Sequence, residues 1–209
     1  MSSLPNALTI LRIALVPLFC AAFFLPGEAG RWLVFVLFCS AGATDALDGL
    51  IARKLGAESP FGRMLDPIAD KLIVSAALLM LASDGTLSGI HLVPALVILC
   101  REILVSGLRE FLAAADVSLP VTRMAKIKTI VQVVAIAALI ASSATERMLQ
   151  GVTILALAGM WIAAGLTFYT GFAYLKAGLS HAKRDRRRRR SVGADEDEEP
   201  MVHPEQRPA

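Results

Sequence analysis

The sequence predicts an all-α, polytopic membrane bundle of six transmembrane helices, and three observations carry that expectation. Hydrophobic residues fill 56% of 209 positions and the mean hydropathy is +0.62, above the apolar share of about 45–50% found in soluble domains. Apolar runs recur at residues 13–25, 32–43, 72–82, 92–100, 130–141 and 152–166. The connections between them are short, as in a compact helical bundle. A spanning helix needs about 20 mainly apolar residues, and extending each run gives spans near 6–25, 31–54, 65–83, 91–114, 123–143 and 149–177.

The first run has no basic stretch before it and holds Arg12 near its start, so it reads as a retained span rather than a secretory signal. Pro5, Asn6 and Thr9 supply a helix start suited to lying at the membrane interface. The three cysteines, Cys20, Cys39 and Cys100, fall in separate apolar runs without CxxC spacing. They read as packing residues, not as a zinc site or a disulfide framework.

Residues 1–178 form the expected membrane domain, followed by a charged tail over 179–209. The tail runs from a basic block, Lys183 to Arg190, into the acids Asp195 to Glu199, a composition that buries no core. It reads as a topology anchor and solvated tail, or as a strip that binds anionic headgroups at about 1 kcal/mol per basic residue. A nucleic-acid partner is not expected, since no folded basic domain accompanies the block.

Orientation follows the excess of Lys and Arg on the cytoplasmic side. Arg53, Lys54 and Arg63 flank the second loop, Arg123, Lys126 and Lys128 follow the fourth, and the loop from Ser83 to Gly89 has no basic residue. Six spans then put both termini in the cytoplasm, with the second loop on the same side. Absence of a targeting segment favours a bacterial inner membrane.

The chemistry sits around that loop, in Asp45-Ala-Leu-Asp48-Gly49-Leu-Ile-Ala52-Arg53, eight residues, then Gly62-Arg-Met-Leu-Asp66-Pro-Ile-Ala-Asp70. An ionised carboxylate in a membrane helix costs on the order of 3 kcal/mol. Too few local cations stand by to neutralise four. Spacings of three (Asp45, Asp48) and four (Asp66, Asp70) put each pair on one helix face. Carboxylate oxygens are the preferred ligands of Mg2+ and Mn2+, and a pair of such ions serves displacement at phosphorus. Gly49, Ala52 and Gly62 keep side chains clear where a phosphate or base approaches. Any one of these acids taken alone could be a helix cap; Asp66 before Pro67, for example, would serve to start a helix.

The complete pattern D-x2-D-G-x2-A-R-x8-G-x3-D-x3-D resembles the signature of the CDP-alcohol phosphatidyltransferases. That resemblance implies a six-helix bundle, usually a homodimer, with two Mg2+ or Mn2+ ions on Asp45, Asp48, Asp66 and Asp70, and with Asp70 also the general base. It further implies that Asp48, Gly49, Ala52, Arg53 and Gly62 surround the CDP group. The strings Pro5-Asn6-Ala-Leu8-Thr9-Ile-Leu-Arg12, Arg101-Glu102-Ile-Leu-Val-Ser106-Gly107-Leu108-Arg109-Glu110 and Lys126-Ile-Lys128-Thr129 are similar to the branch that transfers the phosphatidyl group from CDP-diacylglycerol to sn-glycerol 3-phosphate.

For such an acceptor, Arg101, Arg109, Lys126 and Lys128 would hold the phosphate, Arg through its bidentate fork and Lys as a point charge. The bland alternative is that Glu102 and Arg109, seven apart, merely neutralise one another. Other acceptors compatible with the resemblance are inositol phosphate, serine or phosphatidylglycerol, although serine would leave the basic residues without a task. More distant readings are a membrane prenyltransferase, whose acidic motifs lie on distant helices, and an ion transporter, which has no need of the glycine, alanine and arginine positions.

Overall fold

The computed structural model describes residues 3–55, 60–114, 123–144 and 151–172, with the side chains of 3–8, 45–55, 60–64, 66, 114 and 123 outside that description. Six α-helices account for nearly all of it: α1 Ser3–Ala22, α2 Gly27–Leu55, α3 Pro60–Ser83, α4 Leu92–Ala114, α5 Arg123–Ala144 and α6 Gly151–Phe172. A 3-10 turn, Gly89–His91, leads into α4. Among the described residues there is no strand. The chain is an all-α membrane bundle.

Each helix lies within a few residues of its expected span, and the differences are local. α1 runs unbroken from Ser3 through Pro17, so the interfacial start is not set off as a separate helix. α3 begins at Pro60, ahead of the expected 65. Proline suits a first turn, where its missing N–H has no helical partner to lose. Pro67 therefore sits inside the helix, and Asp66 is not a cap.

Three stretches are long and apolar enough to cross a membrane: Gly89–Ala113, Met124–Ala144 and Gly151–Phe172, with mean hydropathies of 1.8, 1.9 and 1.8. The apolar part of α1 is shorter, Thr9–Ala22. α2 and α3 have 29 and 24 residues, ample for the roughly 30 Å of hydrocarbon at about 1.5 Å per residue. Their acids dilute the apolar character. Outward faces carry Leu104, Ile130, Leu155 and Phe168, all more than 60% exposed, as expected where lipid is the solvent.

α1 packs against α2 and α3, α2 against α5, and α3 against α4 and α5. The core mixes large side chains (Phe19, Phe38, Leu81, Ile98, Ile136, Met160) with alanines at the crossings, Ala41, Ala77 and Ala163. Small residues let membrane helices approach closely and gain dispersion contacts. At the α5–α6 crossing, a Cβ on Gly159 would stand 3.2 Å from that of Ala135, so the glycine is what permits this approach.

One end of the bundle is closed by polar ties. Gly27 and Gly85, both at φ +81°, turn the chain after α1 and α3. Arg31 near the start of α2 pairs with Asp84 just beyond α3 and lies 5.3 Å from the ring centre of Phe23. Leu87 folds back under the turn, its N–H donating to the Leu81 carbonyl at 2.8 Å. This fixes the axial register of α2 against α3.

Phe19 is fully buried and meets Phe23 edge-on at 5.2 Å and Phe38 at 6.2 Å. Phe19→Ala should lower stability by about 3 kcal/mol or more through the cavity left behind. Phe19→Leu should cost clearly less. Thermal unfolding of the detergent-solubilised variants measures both.

Candidate active site

The Arg31–Asp84 tie sets the depth of the acidic motif. Asp45 follows Arg31 by 14 residues and Asp70 precedes Asp84 by 14, a rise of about 21 Å on each helix. Asp48 and Asp66 lie three and four residues farther. Two neighbouring helices thus carry their aspartate pairs at one level, toward the end of the bundle opposite the tie. The side chains of Asp45, Asp48, Gly49, Ala52, Arg53, Gly62 and Asp66 lie outside the described residues. The donor chemistry of the four acids, hard carboxylate oxygens only, is that of a Mg2+ or Mn2+ site.

Asp70 is the described member of the quartet. Its Oδ1 accepts from Arg12 Nη1 at 2.7 Å. Arg12 is 1% exposed, whereas Asp70 is 47% exposed. α1 therefore delivers a buried guanidinium to the carboxylate from behind, while the carboxylate opens toward solvent. Such a charge-assisted bond fixes the orientation of the acid.

Asp70 borders a cavity of about 580 Å³ between α3, α4 and α5. Arg101, Arg109, Lys126 and Lys128, expected at an acceptor phosphate, all line it, together with Lys71. Helical spacing explains the gathering: Arg101 and Arg109 are two turns apart on α4, Lys126 and Lys128 occupy the first turns of α5, and Lys71 follows Asp70 on α3. Against these five cations the described residues of the wall offer two acids, Asp70 and Glu102. Among the described residues the balance is positive, which suits a polyanion.

Within the cavity the charges are not equivalent. Lys128, 3% exposed, pairs with Glu102 across helices. Arg101 lies 3.6 Å from the same carboxylate and donates to Thr170 Oγ1 on α6 at 3.3 Å. Gly171 makes room for this, since a Cβ there would come within 3.1 Å of Arg101 Cγ. Glu102 is thus the counterion of Lys128 and Arg101, not of Arg109. Neither Arg109 nor Lys126, both exposed, has an ion-pair partner among the described residues.

Three residues at the site were not assigned a role from sequence. Arg12 was legible as a charge in an apolar run and as the end of a string shared with the resembling branch, without a partner or a role. Lys71 follows Asp70 directly and bonds the Pro67 carbonyl at 2.5 Å. Gln132 lies one turn beyond Lys128 on α5 and also lines the cavity; the spacing of four was its only signal.

A positively lined cavity beside a carboxylate, sunk among apolar helices, has the chemistry to receive a phosphorylated substrate in a membrane protein. Comparison with known proteins gives the family. The family model for CDP-alcohol phosphatidyltransferase matches residues 2–169, and the chain belongs to that family. It is 46% identical over 178 residues to the CDP-diacylglycerol--glycerol-3-phosphate 3-phosphatidyltransferase of Rickettsia felis, covering 84% of this chain and 94% of the relative. The protein of that name from Pseudomonas fluorescens is 39% identical over 191 residues, covering 89% and 95%. A plant counterpart, number 2 of Arabidopsis thaliana, is 36% identical over 188 residues, covering 83% and 78%.

The Lys128–Glu102 pair makes a stability prediction. Glu102→Gln should cost about 3 kcal/mol by leaving a buried ammonium without its carboxylate. Adding Lys128→Met should recover more than half of that loss. Unfolding midpoints of both single variants and the double variant test the coupling, and strictly additive losses would contradict it.

Proposed function

We propose that this chain transfers the phosphatidyl group of CDP-diacylglycerol to sn-glycerol 3-phosphate, giving phosphatidylglycerophosphate and CMP in phospholipid synthesis. The observation that carries the reading is the half-exposed Asp70 carboxylate on the wall of a cavity lined by five cations. The printed names of the relatives support the same substrates. An acceptor bearing a phosphate dianion uses those cations; serine would leave them idle.

In this reading the lipid substrate enters sideways from the bilayer, with its acyl chains staying in hydrocarbon. Asp48, Gly49, Ala52, Arg53 and Gly62 surround the CDP group. Asp45, Asp48, Asp66 and Asp70 would hold two Mg2+ or Mn2+ ions, which supply positive charge to the diphosphate and to the departing phosphate of CMP. Arg101, Arg109, Lys126 and Lys128 hold the acceptor phosphate. Asp70, aimed by Arg12, takes the proton from the C1 hydroxyl as its oxygen attacks the phosphorus bearing diacylglycerol. The P–O bond to CMP breaks in line.

The proposed assembly is a homodimer in a bacterial inner membrane, with both termini and the site on the cytoplasmic side and residues 179–209 as a solvated tail. Basic residues beside the second and fourth loops and after the last helix support that orientation.

CMP release from CDP-diacylglycerol with Mg2+ or Mn2+, each alcohol offered separately, tests the reaction. Turnover is expected with sn-glycerol 3-phosphate, and no CMP with any acceptor would end the reading. Asp70→Asn should reduce turnover about a hundredfold or more, since shape survives and basicity does not. Arg109→Ala and Lys126→Ala should each raise the KM for glycerol 3-phosphate about tenfold while that for CDP-diacylglycerol stays within about twofold.

A further inference from the structure

The cavity contains one polar side chain whose presence the phosphate does not explain. Gln132 is 2% exposed, lines the cavity, and its Oε1 has no hydrogen-bond partner. A buried carbonyl left without a donor is destabilising, so an unfilled amide is retained where something else completes it. The amide end also keeps its shape when turned half a revolution about its last torsion, so either its oxygen or its nitrogen can face the cavity.

The remaining wall shows which group is short of a partner. Arg101, Arg109, Lys71, Lys126 and Lys128 are donors only, and they suit a phosphate. Of the two carboxylates among the described residues of the wall, Glu102 is held by Lys128 and Arg101, and Asp70 is assigned to the hydroxyl that reacts. The Thr129 hydroxyl donates to the Ala125 carbonyl and sits on an exposed position. A second hydroxyl on the acceptor would therefore meet a wall rich in donors and poor in acceptors. Gln132 offers an acceptor oxygen without adding negative charge that would repel a phosphate dianion. It stands on the face of α5 that presents Lys128, one turn away, and so within the same ligand's reach.

We propose that Gln132 is a specificity-determining residue for the acceptor, its amide oxygen receiving the hydrogen of the C2 hydroxyl that takes no part in the reaction. This rests on the glycerol 3-phosphate reading above. It makes the enzyme a reader of vicinal diol phosphates rather than of any short phosphorylated alcohol. The bond also sets the rotation of the three-carbon chain, and with it the aim of the C1 hydroxyl at Asp70.

The test compares sn-glycerol 3-phosphate with 3-hydroxypropyl phosphate, which keeps the reacting hydroxyl and the phosphate and lacks only the middle one. With the full-length, detergent-solubilised enzyme and CDP-diacylglycerol, kcat/KM from CMP release should favour glycerol 3-phosphate about tenfold or more, the effect of leaving a buried polar group unpaired. In Gln132→Met, of similar length but unable to accept this bond, the two acceptors should fall within about threefold of each other because the value for glycerol 3-phosphate drops. The KM for CDP-diacylglycerol should hold. Gln132→Glu keeps an oxygen at the same reach and should keep the preference, while raising the KM of both acceptors by repulsion.

A wild-type ratio near one, or a preference that survives in Gln132→Met, overturns the proposal. So does a Met variant that loses thermal stability with its ratio unchanged, which is the mark of a merely structural amide. Should the Met variant fail to fold, the wild-type ratio and the Glu variant decide the matter. Absence of turnover with glycerol 3-phosphate in the wild type would instead bring down the proposed reaction and this inference with it, so the two failures are distinguishable.

Discussion

An ionised group among apolar helices must find an opposite charge, a network of hydrogen bonds or water, because hydrocarbon offers none of these. The site is shaped by that constraint. Arg12 of α1 is buried and meets Asp70 of α3; Lys128 of α5 is buried and meets Glu102 of α4; Arg101 divides itself between Glu102 and Thr170 of α6. Apart from Arg101–Glu102, which are neighbours on α4, each tie crosses between helices. The same bonds that make the charges tolerable therefore also hold the walls of the cavity in register.

That constraint governs what was legible from sequence. Helices in lipid satisfy their own backbone, so runs of about 20 apolar residues mark them directly, and a helix lies at each of the six expected positions, its described ends within a few residues of those expected. Where boundaries moved, local chemistry was ambiguous. Pro60 and Pro67 each carry a helix-start signal, and the helix takes the earlier one. The aspartate pairs were visible because spacings of three and four are properties of a single helix.

Partnerships between helices were not visible in this way. Fifty-eight residues separate Arg12 from Asp70 and 26 separate Glu102 from Lys128, and no periodicity encodes either. From the sequence, Arg109, seven residues on along the same helix, was the alternative partner offered for Glu102. The structure instead brings up Lys128, which is buried and so has the greater need of a carboxylate. Gln132 was hidden for the opposite reason: uncharged, it barely interrupts the apolar run in which it sits.

The distribution of pairing within the cavity follows from water access. The cations with a carboxylate partner, Lys128 and Arg101, are the less exposed ones, where an uncompensated charge would cost most. Arg109 and Lys126 lie exposed, where water screens them. An empty cavity lined by cations alone would repel itself; Glu102 removes the worst of that repulsion without cancelling the positive balance. The cavity can thus be stable when empty and still attract a dianion, with the outer cations meeting it first and the inner ones already fixed in position by the acid they share.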